Sequence, residues 1–172
     1  MTGSRGGSAD DLQYDNDFWQ FSLAVYSHRE VAEECLALQQ AIGLDVNLLL
    51  FCAWAGTAAF ALSRSDIEAA SKRVAGWQEH VVRPLRNVRQ DMKAADYRDL
   101  ESFRTHVKKT EIEAEQIEQA MLFAFSRHLR ESNMNPRDVV AGNIKNYFEM
   151  ARGPEGLKSS APLLIEAALR VR

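Results

Sequence analysis

Cysteine is scarce, and what there is sits in apolar surroundings. Cys35 and Cys52 fall inside helical hydrophobic patterns, with no Cys-x-x-Cys spacing. That excludes a disulfide framework and reads as core filler in a reducing compartment. Histidine is equally sparse: of His28, His80, His106 and His128, none follows a Glu by three residues, and no two are four apart. The helical di-iron and zinc signatures are therefore missing, and no metal or cofactor is expected. Of nine glycines, Gly3, Gly6 and Gly7 lie at the start, and no glycine-rich loop exists to cradle a phosphate. Surplus charge is missing too. Arg5 against Asp10, Asp11, Asp15 and Asp17 accounts for the whole net charge of −3, leaving the rest balanced. A balanced domain offers no electrostatic case for nucleic acid or for an anionic membrane. One long apolar run, Val46 to Leu62, is interrupted by Asn47 and Thr57 and is 17 residues long. A bilayer needs roughly 20. Its many small residues and the absence of basic flanks at its start make it a buried central helix rather than a membrane span. No signal peptide opens the chain, which points to the cytoplasm.

What is present is helical periodicity. Residues 1–16 read as a disordered leader, and residues 17–172 as one all-α domain, a bundle of about six or seven helices. Asp17 is the expected N-cap of the first helix, with Phe18, Phe21, Ser22 and Val25 on one face. Ser27 and Glu30 fit a capping box, and Gly43 a helix stop. Asp45 caps the apolar helix, and Ser65 with Glu68 fits a second box. The stripe Ile67, Ala70, Val74, Trp77, Val81, Leu85, Val88, Met92 then runs past Pro84, where a kink or break is expected. A long helix follows on the seam Phe103, Val107, Thr110, Ala114, Ile117, Met121, Ala124, His128, with a break allowed near residue 110. Asn135 and Pro136 open another helix, bearing Val140, Ile144 and Tyr147 and stopped by Gly153-Pro154. A last helix spans residues 162–170. No strand-like alternation occurs.

No catalytic residues can be named from spacing alone. Several polar or aromatic residues stand out as ligand-binding candidates. Asn47 needs partners inside an apolar helix, with capping contacts to Asp45 the simplest. Trp54 lies seven residues on and shares its face. Trp77 and His80 sit just before Pro84. Arg83, Arg86 and Arg89, followed by Lys93, form a basic strip suited to an anion or a partner. Glu111, Glu115 and Glu118 form an acidic strip that could either face solvent or pair with the arginines across helices.

The segments Phe18-Trp19-x-Phe21-Ser22-Leu23-x-x-Tyr26, Cys35-Leu36-x-Leu38-Gln39 and Asp45-Val46-Asn47-Leu48-Leu49-Leu50-Phe51-x-x-Trp54 are similar to a family of short proteobacterial helical proteins of unknown function. Trp77, Val81-Val82-x-Pro84-Leu85-Arg86-x-x-Arg89 and Ala114-Glu115 extend the resemblance over roughly residues 17–125. It implies a bacterial helical protein, places Asn47, Trp54, Trp77, Arg86 and Glu115 in the family pattern, and supplies no activity. Two functions stay open. One is a non-enzymatic interaction domain, binding a protein partner or a second copy of itself. The other is a binder of a small molecule or anion, or an enzyme, with Asn47, Trp54, Trp77, His80, Arg86 and Glu115 around a pocket near Pro84. Nucleic-acid binding through Arg83, Arg86, Arg89 and Lys93 is the weakest option.

Overall fold

The computed structural model describes residues 12–94, 100–152 and 160–171. Among them, helices α1 (Asp17–Tyr26), α2 (Arg29–Ile42), α3 (Val46–Thr57), α4 (Arg64–Trp77), α5 (Arg83–Ala94), α6 (Glu101–Ser126), α7 (Pro136–Arg152) and α8 (Pro162–Arg170) build one all-α domain. A π-helical turn, Gln78–Val82, joins α4 to α5 without a break. No helix among the described residues is long and apolar enough to cross a membrane. Most of the leader expected over residues 1–16, and the Gly153-Pro154 stop, lie outside the described residues.

α3 is the centre, as its unbroken apolar surface requires. Every residue from Val46 to Gly56 is buried, and the helix touches α1, α2, α4, α6, α7 and α8. Its closest neighbour is α7. A β-carbon at Gly56 would sit 2.6 Å from Val140 Cα, so only glycine lets the two backbones meet there. α7 also serves the ends of α3. Asn143 Nδ2 donates to the Phe60 and Cys52 carbonyls, and its Oδ1 accepts from Leu62 N. The Tyr147 hydroxyl accepts from Asp45 N at 2.9 Å and donates to Asp45 O.

The helix ends follow side-chain chemistry, with three shifts from the sequence reading. Asn16, not Asp17, caps α1: its Oδ1 accepts from Trp19 N at 2.9 Å. Ser27 does not cap α2. It still has helical dihedrals, and its hydroxyl donates back to Ala24 O, so α2 starts two residues later without a side-chain cap. The capping box of α4 is Ser63 with Asp66 rather than Ser65 with Glu68. Two overlapping Ser-x-x-acid patterns exist there, and the first lies next to the loop. Gly43 and Asp45 act as expected, Gly43 at φ 69° and Asp45 Oδ1 accepting from Asn47 N. α8 has no cap of its own. The Glu34 carboxylate, from α2, accepts from Leu163 N and Leu164 N in its place.

Two long-helix expectations change. α6 runs unbroken through residue 110, where the Thr110 hydroxyl donates to His106 O. Its buried face is Glu111, Ala114, Glu118, Gln119, Ala120, Leu122 and Ser126, while Phe103 is exposed. The seam assigned by apolar spacing is therefore rotated from the true one, because two carboxylates occupy the covered side. At Pro84 the chain neither breaks nor ends. The wider turn just before it takes up one extra residue, with Arg83 N bonded to Gln78 O. The inward stripe then steps from Trp77 to Val82, Arg86 and Arg89, instead of to Val81, Leu85 and Val88; Val88 is exposed and Val82 buried.

Candidate functional site

That re-phasing decides where the basic strip points. By strict helical spacing, Arg86 would lie about 120° away from Val74, at 100° per residue over twelve residues. With one residue absorbed in the π turn, the offset falls to about 20°. Arg86 and Arg89 therefore face α6, and Glu111 and Glu115 meet them. Arg86 Nη2 donates to Glu115 Oε1 at 2.6 Å, and Arg86 Nε to Glu111 Oε1 at 3.3 Å. Arg89 grips Glu111 with two nitrogens, one of them Nη2 at 3.1 Å from Oε1. Glu111 is almost wholly covered, and both guanidiniums are partly so. Such pairs are worth far more than surface ion pairs when one partner is deleted. Burial pulls the Arg86 proton affinity down, but its bonds to Glu115 and Glu111 outweigh this and raise it. Glu115 behaves differently. Burial lifts its carboxyl above the ordinary range despite the pull of Arg86.

Behind these pairs lies a second, uncharged line of contacts. Asn47 does not cap its own helix through its side chain. Its Nδ2 donates to Glu118 Oε2 at 3.0 Å, and its Oδ1 accepts from Gln119 Nε2 at 2.9 Å. Burial, together with the neighbouring Asp45 carboxylate, pushes the Glu118 carboxyl up to about 10, with the Asn47 bond pulling the other way. Glu118 is thus driven toward its neutral form at pH 7; its Oε2 accepts from Asn47, while its Oε1 has no hydrogen-bond partner among the described residues. The donor–acceptor order runs one way along the row. Glu118 Oε2 accepts, Asn47 donates to it, Gln119 donates to Asn47, and Gln119 Oε1 is left over. This oxygen has no partner among the described residues, and neither has Ser22 Oγ on α1. Each unpaired buried group costs about 1–3 kcal/mol.

These rows line one cavity of about 560 Å³. Its walls are Trp19, Ser22, Leu23 and Tyr26 of α1, Leu36 and Gln39 of α2, and Arg86, Arg89 and Gln90 of α5. Lys108, Glu111, Ile112, Glu115 and Gln119 of α6 close the other side, and Val46, Asn47 and Leu50 of α3 form its inner wall. A second cavity of about 600 Å³ lies around the π turn, lined by Asp45, Gln78, Glu79, Arg83, Tyr147 and others. Gln39 and Arg86 belong to both.

Of the residues singled out by sequence, Asn47, Arg86, Arg89, Glu111 and Glu115 therefore converge. Trp54, Trp77, His80, Arg83 and Lys93 do not join them. Trp54 is buried among Phe18, Phe51, Phe60 and Phe123, with the ring centroids of Trp54 and Phe18 5.4 Å apart. Trp77 ties α4 to α6 by donating from Nε1 to Ala114 O at 2.9 Å. His80 is exposed on the π turn and Lys93 is exposed near the end of α5. Arg83 is exposed, bonds Gln78 and lines only the second cavity. Pro84 lines neither. Sequence reasoning missed Ser22, Tyr26 and Gln119. The available signal was the acidic strip 111–115–118 set against arginines every three residues, which implied a shared face on which Gln119 also falls.

Residues 17–122 match the family described as "Protein of unknown function (DUF2390)". No curated protein and no solved structure matches the chain.

Proposed function

Since the chain belongs to the DUF2390 family, whose function is unknown, we propose its role from the cavity alone: it binds a small, mainly apolar molecule between α1, α2, α5 and α6. The observation that carries this reading is that two of the three unpartnered buried side-chain atoms among the described residues, Ser22 Oγ and Gln119 Oε1, belong to residues lining a space of ligand size. Proteins seldom leave such atoms unpaired, and a function is one accepted reason. An anionic ligand fits less well. Arg86 and Arg89 are already spent on Glu111 and Glu115, so the strip offers little uncompensated charge. Two thiols buried and held protonated suit the reducing cytoplasm, where we place the protein.

The test is a ¹⁵N-labelled full chain titrated with a library of small apolar fragments. Shifts concentrated on Trp19, Asn47 and Gln119 side-chain signals are the expected result. Shifts scattered over the surface, or none, would remove the reading.

A second reading has one observation in its favour. Leu23, Leu36 and Ile112 line the cavity yet are 48%, 46% and 42% exposed. Large apolar side chains gathered at one mouth suit an interface. In that reading the occupant is a second copy of the chain. Sedimentation over a hundredfold concentration range discriminates: a strictly monomeric protein excludes it.

A further inference from the structure

We infer that the cavity selects ligands whose polar end is a hydrogen-bond donor, an N–H or O–H group, read by Gln119 Oε1. The inference rests on the small-molecule reading above and narrows it to a chemical class.

The argument is one of direction. An amide can usually turn over and offer either its NH₂ or its oxygen. Gln119 cannot. Its Nε2 is held by Asn47 Oδ1 at 2.9 Å, and Asn47 is in turn held by Glu118 Oε2 at 3.0 Å. Turning the Gln119 amide would set two oxygens against each other. Turning Asn47 as well would require Glu118 Oε2 to donate where it now accepts. With Glu118 Oε2 accepting at one end, what the row leaves at the other is an acceptor. Gln119 is 3% exposed, so water does not satisfy that oxygen freely.

The rest of the polar lining agrees. Glu111 and Glu115 add carboxylate oxygens, and their partner nitrogens on Arg86 and Arg89 point at them. Ser22 Oγ can take either role. A ligand ending in an oxyanion or a bare carbonyl would set its lone pairs against Gln119 Oε1. A ligand ending in N–H or O–H would complete it. The body of such a ligand would lie along Leu50, Val46 and Trp19, with Ile112 and Leu23 at the rim.

The test uses two probes that differ only in the donor, indole and 1-methylindole, with anisole and phenol as a second pair. Binding to the full-length wild-type chain is followed by side-chain amide shifts and by calorimetry. The expected result is that the donor-bearing member of each pair binds roughly tenfold more tightly. The Gln119 NH₂ signals should shift with that member. In Gln119→Met, which keeps the side-chain length, the preference should disappear. Should that variant fail to fold, the wild-type comparison still stands alone, and Ser22→Ala tests the neighbouring group. Equal binding of the paired probes at the cavity overturns the donor inference and leaves the small-molecule reading intact. Absence of cavity shifts with all four probes overturns both.

Discussion

A β-carbon on Gly56 would meet Val140 Cα at 2.6 Å and Val140 N at 2.7 Å, atoms of backbone that cannot swing aside. Gly76, also helical, has nothing within 4 Å of the same point. Adding a methyl group to a helical glycine ordinarily stabilises by about 0.5–1 kcal/mol. Gly76→Ala should show that gain, whereas Gly56→Ala should lose at least about 2 kcal/mol, because α7 must be pushed off α3. Urea unfolding of both variants measures the contrast, and equal behaviour would refute the close approach. Glu118 carries a different single-residue argument. Its carboxyl holds a proton up to about pH 10 in the fold, against 4.5 for an ordinary glutamate. Between these values the folded chain binds more protons than the unfolded one. Stability is then greatest below the unfolded value and declines as pH rises, by at most about 1.4 kcal/mol per pH unit from this group. Glu118→Gln keeps an acceptor for Asn47 without a titrating proton. Its stability should match wild type near pH 5 and exceed it increasingly toward pH 9. A parallel pair of pH profiles would sink the idea of a neutral Glu118.

At the scale of the element, the π turn is what turns Arg86 and Arg89 onto α6. A π turn is an α-helix with one residue too many. Deleting His80, which is exposed, removes the excess and should leave both flanks in phase, so the Arg–Glu contacts survive. The deletion has one cost. Pro84 would then lie within regular α-helix, where its ring strikes the carbonyl four residues back, at about 3 kcal/mol. The deletion alone should therefore be destabilised by about that amount, and the deletion combined with Pro84→Ala should recover most of it. If Pro84→Ala brings no recovery, the turn is not there to accommodate the proline. The sequence exposed part of this. A discontinuity at Pro84 was visible, and so was the opposition of the arginine and glutamate strips. The re-phasing that the extra residue brings was not, because counting apolar residues favours Val81, Leu85 and Val88 over Val82, Arg86 and Arg89. The same bias rotated the seam of α6. A periodicity read from hydrophobic residues scores Glu111 and Glu118 as solvent-facing, and cannot know that arginines and an asparagine cover them. α3 and α8 were legible for the opposite reason: one is apolar on all sides, and the other is opened by Pro162 and bears no buried charge.

At the scale of the whole molecule, α3 is enclosed and α2 is not. α3 touches six other helices, whereas α2 rests on α1, α3 and α8 and carries only two buried residues, Val31 and Cys35. One buried thiol sits on each: Cys52 on α3 and Cys35 on α2. Burial pushes the Cys35 thiol up to about 12 and the Cys52 thiol higher still, so neither reacts while covered. Each therefore reports the opening that uncovers it. Cys35 can be exposed when α2 lifts from the surface, an event that leaves the core of α3 against α7 and α6 in place. Cys52 can be exposed only when that core comes apart. Partial openings lie below global unfolding in free energy and expose less surface, so they depend more weakly on denaturant. In the single-thiol variants Cys35→Ala and Cys52→Ala, labelling by a small thiol reagent at low denaturant should be faster for the chain that retains Cys35. Its dependence on urea should also be shallower, and the two rates should merge as global unfolding takes over. Equal rates throughout would mean that α2 and α3 open together. A faster Cys52 would mean that α3 is not the centre of the fold.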